Sequence, residues 1–187
     1  SLSVGVQQLA ATTAHYRFEE NDGAIVNAVN GAVEGSLQTG VYSSDTPGSI
    51  YGQANNRSLD FVGTGAVIGA LIDSRPFIFN ENGTAGDGTL EFFIKTGDQN
   101  HGAVLWTNAD TAADNNRFNI WFGSVLPREV GADFDAMGAR DHCGATSNIP
   151  INQWVHIAMV RVATGGTNEF DWHWYVDGVQ VGGPNHT

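Results

Sequence analysis

Two segments near the end of the chain show the clearest alternation of hydrophobic and polar positions. In residues 154–160, apolar side chains alternate with polar ones or follow one another directly. In residues 170–176, aromatic residues occupy every second position. Aromatic and β-branched types dominate both segments, as is typical of strands. The dipeptide Asp177-Gly178 follows the second segment and suits the positive φ angles of a two-residue hairpin turn. The pattern therefore predicts three consecutive β-strands.

Shorter segments of the same kind lie upstream and are separated by clusters of Gly, Asn and Asp. They cover residues 15–18, 58–62, 88–96, 104–106 and 117–122. No window of about 11–18 residues keeps helical spacing. The pattern predicts an all-β fold of two antiparallel sheets, a β-sandwich or jelly roll. A chain of 187 residues fits one such domain.

Alternation within these segments also predicts which large apolar side chains are mostly buried. They are Phe18, Leu59, Phe61, Leu90, Phe92, Phe118, Ile120, Trp154, Trp172 and Trp174. The basis of this prediction is alternation within each segment, since one side of a strand in a two-sheet sandwich faces the core.

Several motifs, taken in order, resemble the LamG-like jelly rolls of the concanavalin A-like lectin/glucanase superfamily. Residues 154–158 and 175–178 match W-x-H-x-A and Y-V-D-G, residues 58–63 match S-L-x-F-x-G, and residues 88–95 resemble F-T-x-E-x-W-x-K. Residues 15–23 resemble the opening strand and turn of that family. The resemblance covers roughly residues 14–183, implies a two-sheet sandwich over residues 14–187, and implies that His156 is structural.

The two ends of the chain suggest an assembled state or a longer parent chain. Residues 1–13 are small and mildly apolar, which predicts an N-terminal arm or linker. The resemblance implies two more strands after Val179, whereas the chain stops at Thr187. A sheet that lacks its last strands leaves unpaired backbone groups, so we expect the arm or another chain to add a strand there.

Charge and cysteine content narrow the possible partners. A net charge of −12, from 20 acidic residues against eight basic ones, argues against nucleic acid and anionic membranes as ligands. No apolar run of about 18 residues indicates insertion into a membrane. Cys143 is the only cysteine, so it cannot form an intramolecular disulfide, and its segment is interpreted as a Gly-rich loop.

One segment resembles half of a glucanase motif. Retaining glucanases of the superfamily carry E-x-D-x-E, because they need two carboxylates about 5 Å apart. Here Glu169 and Asp171 match the first two carboxylates, but His173 stands at the third position. The sequence therefore predicts that the protein is not an enzyme, and a glycoside hydrolase is the alternative that this substitution disfavours.

Oxygen-rich side chains at the predicted opening turn could bind calcium. The candidate ligands are Glu19, Glu20, Asn21, Asp22, Asn27 and Asn30. Ca²⁺ takes six to eight oxygen ligands, and the resemblance implies calcium near this turn. The alternative is that Asn and Asp only shape turns through local hydrogen bonds.

A second candidate calcium site combines a loop with a later strand. Its predicted ligands are Asp110, Asp114, Asp133 and Asp135. Asp133 and Asp135 would share one face of a strand, where two bare carboxylates repel each other unless water or a cation screens them. A solvated acidic surface is the simpler alternative.

Two predicted strands present polar and aromatic side chains on one face. Arg117, Asn119 and Trp121 alternate with apolar residues, and so do Asp171, His173 and Tyr175. Flat rings and hydrogen-bonding side chains are what sugar recognition requires. These six residues are the predicted ligand-binding set, although many exposed sheet faces of this composition bind nothing.

The sequence thus favours a non-catalytic lectin-like module that binds a glycan or protein ligand, with calcium as a candidate cofactor. We expect it to be secreted or on an extracellular surface, including a virion surface. The alternative is a structural or assembly protein that uses the sandwich as a scaffold, since fold alone does not determine function.

Overall fold

A computed structural model describes the larger part of the chain. The described residues are 15–20, 22–26, 28–29, 31–37, 40–48, 54, 56–60, 70–72, 87–97, 102–108, 116–122, 129–136, 139–146, 149–165 and 170–186. Among them no residue is helical, and no helix could span a membrane.

The described segments form antiparallel β-strands. These are β1 (Ala24–Val26), β2 (Val33–Leu37), β3 (Val41–Ser43), β4 (Ser58–Asp60), β5 (Ala70–Ile72), β6 (Gly88–Lys95), β7 (Gly102–Asn108), β8 (Asn116–Phe122), β9 (Glu129–Ala136), β10 (Ala139–Thr146), β11 (Trp154–Ala163), β12 (Phe170–Val176) and β13 (Val179–His186). For β5 and β7 to β10 the structure describes the backbone and its pairing.

The chain divides into two compact units, and the first is Ser1–Pro76. It contains a sheet in the order β1-β2-β5 and the pair β3-β4. Ile25 is its fully buried apolar side chain among the described residues, and the Tyr42 hydroxyl donates a hydrogen bond to the Ala24 carbonyl at 3.3 Å. The buried Ser58 hydroxyl donates to the Asp45 carbonyl at 2.6 Å.

The second unit, Phe77–Thr187, contains two four-stranded sheets. One has the order β10-β9-β8-β7, and the other has the order β13-β12-β11-β6. Edge strand β10 of the first sheet lies near β13 of the second. The described strands agree with the predicted all-β sandwich of antiparallel sheets. The predicted boundaries, an arm over residues 1–13 and one domain over residues 14–187, stay a prediction.

The core of this second unit lies on one face of the β13-β12-β11-β6 sheet. Its buried members are Ile149, Val155, Ile157, Met159, Phe170, Trp172 and Trp174, with Leu90, Phe92, Ile94, Val176 and Val181 packed against them. Burial of each large apolar side chain stabilises the fold by about 1.5–3 kcal/mol. The prediction that Trp172 and Trp174 are buried is confirmed.

The other residues predicted to be buried have mixed outcomes. Leu90 and Phe92 are half-buried against the core, and Phe18 and Leu59 are half-buried in the first unit. The remaining three, Phe61, Phe118 and Ile120, have side chains outside the described set.

The assignment of Trp154 to the core is wrong. Val155, Ile157 and Met159 of β11 are buried, so Trp154 alternates onto the opposite face, where it pairs with Lys95 and is half-buried. Strand alternation therefore outweighs the general tendency of a large ring to enter the core.

Two further expectations about local structure are corrected. In the predicted opening strand, residues 15–18, only Tyr16 forms a bridge, because Phe18 has a φ of 58°, which is incompatible with an extended strand. Cys143 lies within β10 and not in a Gly-rich loop; its backbone pairs with Ala132.

The hairpin between β12 and β13 forms as predicted. Asp177 and Gly178 have φ angles of 48° and 78°, the pair of positive values that a type I′ turn requires. This turn sets the register in which Tyr175 pairs with Gln180 and Val176 pairs with Val179.

Candidate functional site

The face of the β13-β12-β11-β6 sheet that points away from the core carries the candidate site, and we call it the outer face. In β6, Leu90, Phe92 and Ile94 contact the core, so the alternating residues point outward. The outward residues of β6, β11 and β12 are Thr89, Glu91, Phe93, Lys95, Trp154, His156, Ala158, Val160, Val162, Asp171, His173 and Tyr175. A rigid Trp-rich core thus supports a polar and aromatic surface.

Three of the predicted ligand-binding residues share this outer face. Asp171, His173 and Tyr175 alternate with the buried Trp172 and Trp174 and are themselves half-buried. The structure therefore brings them together as the alternation predicts, while their binding role stays a prediction.

A cluster that the sequence analysis missed lies beside them, and we call it the aromatic cluster. It consists of Glu91, Phe93 and His156. The His156 Nε2 is 3.3 Å from the Glu91 Oε2, and the rings of Phe93 and His156 are 4.8 Å apart at an interplanar angle of 44°. Phe93 is 36% exposed, so a phenyl ring is available to solvent next to hydrogen-bonding groups.

The hairpin turn holds His156 in place through two backbone contacts. The His156 N–H donates to the Asp177 Oδ1 at 2.9 Å, and the Asp177 N–H donates to the His156 carbonyl at 2.8 Å. Asp177 is opposite His156 because Val176, the residue before it, pairs with Ile157 in the β11–β12 ladder. The orientation of the aromatic cluster therefore depends on the turn.

Ala158 lies between the aromatic cluster and the outward residues of β12. Its backbone pairs with Glu91 on one side and with Tyr175 on the other. Ala158 has the shortest side chain of this row, so the larger side chains stand on either side of it. On the far side of Tyr175, the Gln180 amide nitrogen is 3.2 Å from the His173 Nδ1. This contact links β13 to the outer-face side chain of β12.

Comparison with known protein families agrees with this architecture. A laminin G family model of the concanavalin A-like lectin/glucanases superfamily matches residues 76–187, more than half of the 187-residue chain. The chain belongs to this laminin G-like family. No curated protein and no solved structure matches it. Membership confirms the family resemblance and supports a module that binds carbohydrate or protein in general.

The second predicted ligand-binding strand of this laminin G-like domain is β8. Arg117 and Asn119 pair through their backbones with Asp135 and Asp133 of β9, and Trp121 pairs with Gly131. The backbone thus brings the predicted sugar-binding and calcium-binding positions side by side. The side chains of these residues, and Asp110 and Asp114 altogether, lie outside the described residues.

The opening turn of the laminin G-like chain has its own hydrogen bonds. The Glu19 Oε1 accepts from the Asn56 N–H at 2.8 Å and lies 3.9 Å from the Arg17 guanidinium. The Asp22 Oδ1 accepts from the Ala24 N–H at 3.0 Å, a local turn contact. Two of the predicted oxygen ligands therefore stabilise the turn in this structure.

Glu20 differs from its neighbours. Its Oε2 is buried and has no hydrogen-bond partner within the described part of the chain. Burial raises the pKa of the Tyr42 hydroxyl, and the nearby negative charges of Glu20 and Asp22 raise it further. The charge of Arg57 partly offsets this effect of Glu20 and Asp22 on the pKa of Tyr42.

The remaining predicted calcium ligands of this turn, Asn21, Asn27 and Asn30, lie outside the described residues. Among the residues that the structure does describe, no group of three or more His, Cys, Asp or Glu side chains is arranged to hold a metal ion. The calcium sites stay predictions.

Proposed function

We propose that this laminin G-like module is a non-catalytic, extracellular glycan-binding protein whose binding site is the outer face. The observation that supports the proposal most directly is the 36%-exposed ring of Phe93 beside the Glu91–His156 pair. A pyranose ring stacks its C–H groups on a flat aromatic face, and its hydroxyls need fixed hydrogen-bonding partners nearby. The aromatic cluster offers both.

The support beneath the site also favours binding. The buried Trp172 and Trp174 fix β12, and Asp177 of the hairpin turn binds the backbone N–H of His156 in β11. Side chains that are already positioned lose little conformational entropy when a ligand binds, so weak individual contacts can add up. Asp171, His173 and Tyr175 extend the same surface along a glycan chain.

A binding assay with immobilised glycans tests the proposal. We expect Phe93→Ala to weaken binding about two- to tenfold, because a stacked ring contributes about 0.5–1.5 kcal/mol and 1.4 kcal/mol corresponds to a factor of ten. Val179→Ala is the matched control, since Val179 is an apolar side chain that is 66% exposed. Equal affinity of Phe93→Ala and the unmodified protein would place the site elsewhere.

The proposal that the protein is non-catalytic rests on residue 173, which is the last position of the E-x-D-x-E motif. In this position His173 lies beside Gln180 on the outer face, and a retaining glycosidase needs a second carboxylate there. We expect no release of reducing ends from β-glucans. Turnover that disappears in Glu169→Gln would show that the protein is a hydrolase.

Calcium remains part of the proposed function as a cofactor of the opening turn or of the loop bearing Asp110 and Asp114. The buried Oε2 of Glu20 supports the first location, because a buried carboxylate oxygen without a hydrogen bond is costly unless a cation or water compensates for it. After chelation, millimolar calcium should raise the melting temperature by mass action on the folded state. An unchanged melting curve would remove calcium from the proposal.

A structural or assembly role is the second candidate, and β13 supports it. Among the described strands, β13 is hydrogen-bonded only to β12; β10 lies near β13 without pairing to it, and Val179 at the start of β13 is highly exposed. Such an edge can pair with a strand of another chain. Light scattering distinguishes the two: assembly predicts a mass that rises with protein concentration, whereas the lectin-like role needs only the monomer.

A further inference from the structure

The charges on the outer face indicate which class of glycan the proposed site would accept. Its described carboxylates are Glu91, Asp171 and Asp177, the last at the hairpin turn, and its described ammonium group is Lys95. Among these described side chains the carboxylates outnumber the ammonium group. The face belongs to a chain whose total charge is −12.

The position of two of these carboxylates makes them relevant to a ligand. The Glu91 side chain is 41% exposed and stands next to the exposed Phe93 ring, where the proposed stacking occurs. Asp171 lies two positions before His173 on the same strand face. A glycan that covers Phe93 and extends along β12 therefore passes both carboxylates.

His156 does not remove this bias. A histidine within 3.3 Å of Glu91 compensates for its charge only when the imidazole is protonated. A neutral imidazole instead donates one hydrogen bond and leaves the carboxylate charged. While the imidazole is neutral, the aromatic cluster therefore suits hydroxyl groups, which can donate to the carboxylate, better than a second anion, which cannot.

We infer that the outer face selects uncharged glycans over acidic ones, and that Glu91 and Asp171 set this selection. The inference rests on the proposed glycan-binding function. Like charges about 6 Å apart in a water-like dielectric weaken binding by a factor of about three. Two such encounters weaken it about tenfold, and salt reduces the effect because it screens exposed charges.

Three matched pairs of hexasaccharides test the inference, each pair sharing sugar configuration and linkage: glucan and glucuronan, galactan and galacturonan, and mannan and mannuronan. Calorimetric titration at pH 8 is performed at about 20 mM and about 500 mM salt. For whichever pair the protein binds, we expect the neutral hexasaccharide to bind about tenfold more tightly than the acidic one at low salt. The difference in affinity should shrink at high salt.

Charge-removing variants identify the responsible residues. Glu91→Gln and Asp171→Asn should each narrow the difference between neutral and acidic ligands about threefold, mainly by strengthening the acidic one. Asp60→Asn is the matched control, because it removes an equal charge from an exposed position of the first unit. An equal effect of Asp60→Asn would assign the bias to net charge and overturn the role of Glu91 and Asp171.

The possible failures are distinguishable. An acidic hexasaccharide that binds as tightly as its neutral partner, and that Phe93→Ala weakens, overturns the selection and leaves the glycan-binding function intact. Binding of none of the six ligands overturns the glycan-binding function and the selection together.

Discussion

The ring of His156 is positioned by its neighbours on the sheet and by the backbone that carries it. The Glu91 Oε2 lies 3.3 Å from its Nε2, and the Phe93 ring packs beside it at an interplanar angle of 44°. Its backbone N–H and carbonyl are both bonded to Asp177. The hairpin turn and the aromatic cluster therefore depend on each other. Without the contact to Asp177, the backbone of His156 would be held less firmly, and His156 contacts both Glu91 and Phe93.

Two substitutions at Asp177 separate its acceptor from its backbone conformation. Asp177→Gly tolerates the φ of 48° but lacks the side-chain acceptor, so we expect a loss of about 1–2 kcal/mol in the free energy of unfolding. Asp177→Asn keeps an acceptor oxygen and tolerates positive φ, so it should stay within about 0.5 kcal/mol of the unmodified protein. Urea unfolding measures both, and equal losses would show that the carboxylate charge, and not the hydrogen bond, matters.

Tyr42 predicts a dependence of stability on alkaline pH. Burial, and next the charge of Glu20, raise its pKa above 10.0 in the folded state. A raised folded pKa means that the protonated hydroxyl favours folding, so this stability is fully present below pH 10 and is lost as the pH rises further. Tyr42→Phe should lose less stability than the unmodified protein between pH 10 and pH 11, and Glu20→Gln should reduce the difference. Identical pH profiles would contradict this assignment.

At the scale of elements, the irregular pairing of β12 with β13 is a distinctive feature of the outer-face sheet. Trp172 pairs with Asn185 and Trp174 pairs with Gly182, so two residues, Gly183 and Pro184, oppose His173. Such a bulge lets the sheet twist more strongly. The backbone of β13 comes so close at Gly183 that a Cβ there would overlap the Trp172 carbonyl oxygen.

Two glycines of this hairpin make a matched pair for mutation. Gly178 has a φ of 78° and open space around it, so Gly178→Ala should cost only the conformational penalty, about 1 kcal/mol. Gly183 has a φ of 93° and also the contact with Trp172, so Gly183→Ala should cost about 1–3 kcal/mol more. Thermal and urea unfolding measure the difference. Equal losses would mean that the bulge yields without strain.

At the scale of the whole molecule, local sequence patterns predict some features of the fold and not others. Alternation along single strands predicted β11, β12 and the turn at Asp177-Gly178, because each depends on near neighbours in the sequence. It also implied that one of the adjacent residues Phe92 and Phe93 must point outward.

The contact of Glu91 with His156 was not predictable in the same way. It requires β6 to pair with β11 in one register, and these strands are far apart in the sequence. Trp154 was misassigned because the side of β11 that faces the core is the one with Val155, Ile157 and Met159, and Trp154 alternates with them. The site residues on single strands were therefore accessible from sequence, whereas the cluster formed between strands was not.

The net charge of −12 leads to a prediction for the molecule as a whole. Self-repulsion destabilises a compact state of high charge, and salt screens it with a Debye length of about 10 Å at 0.1 M. Raising sodium chloride from about 10 mM to about 300 mM should therefore raise the melting temperature. This general effect must be separated from a bound cation, since calcium also screens charge.

Calcium and magnesium chloride at equal ionic strength provide that separation. Screening alone predicts the same increase in melting temperature for both salts, because it depends on ionic strength and not on the identity of the ion. A calcium site with six to eight oxygen ligands predicts an additional increase with calcium only, since magnesium requires smaller octahedral geometry. Equal increases would leave the acidic surface as a source of repulsion and solubility alone, and an increase with sodium smaller than the measurement error would contradict the charge argument itself.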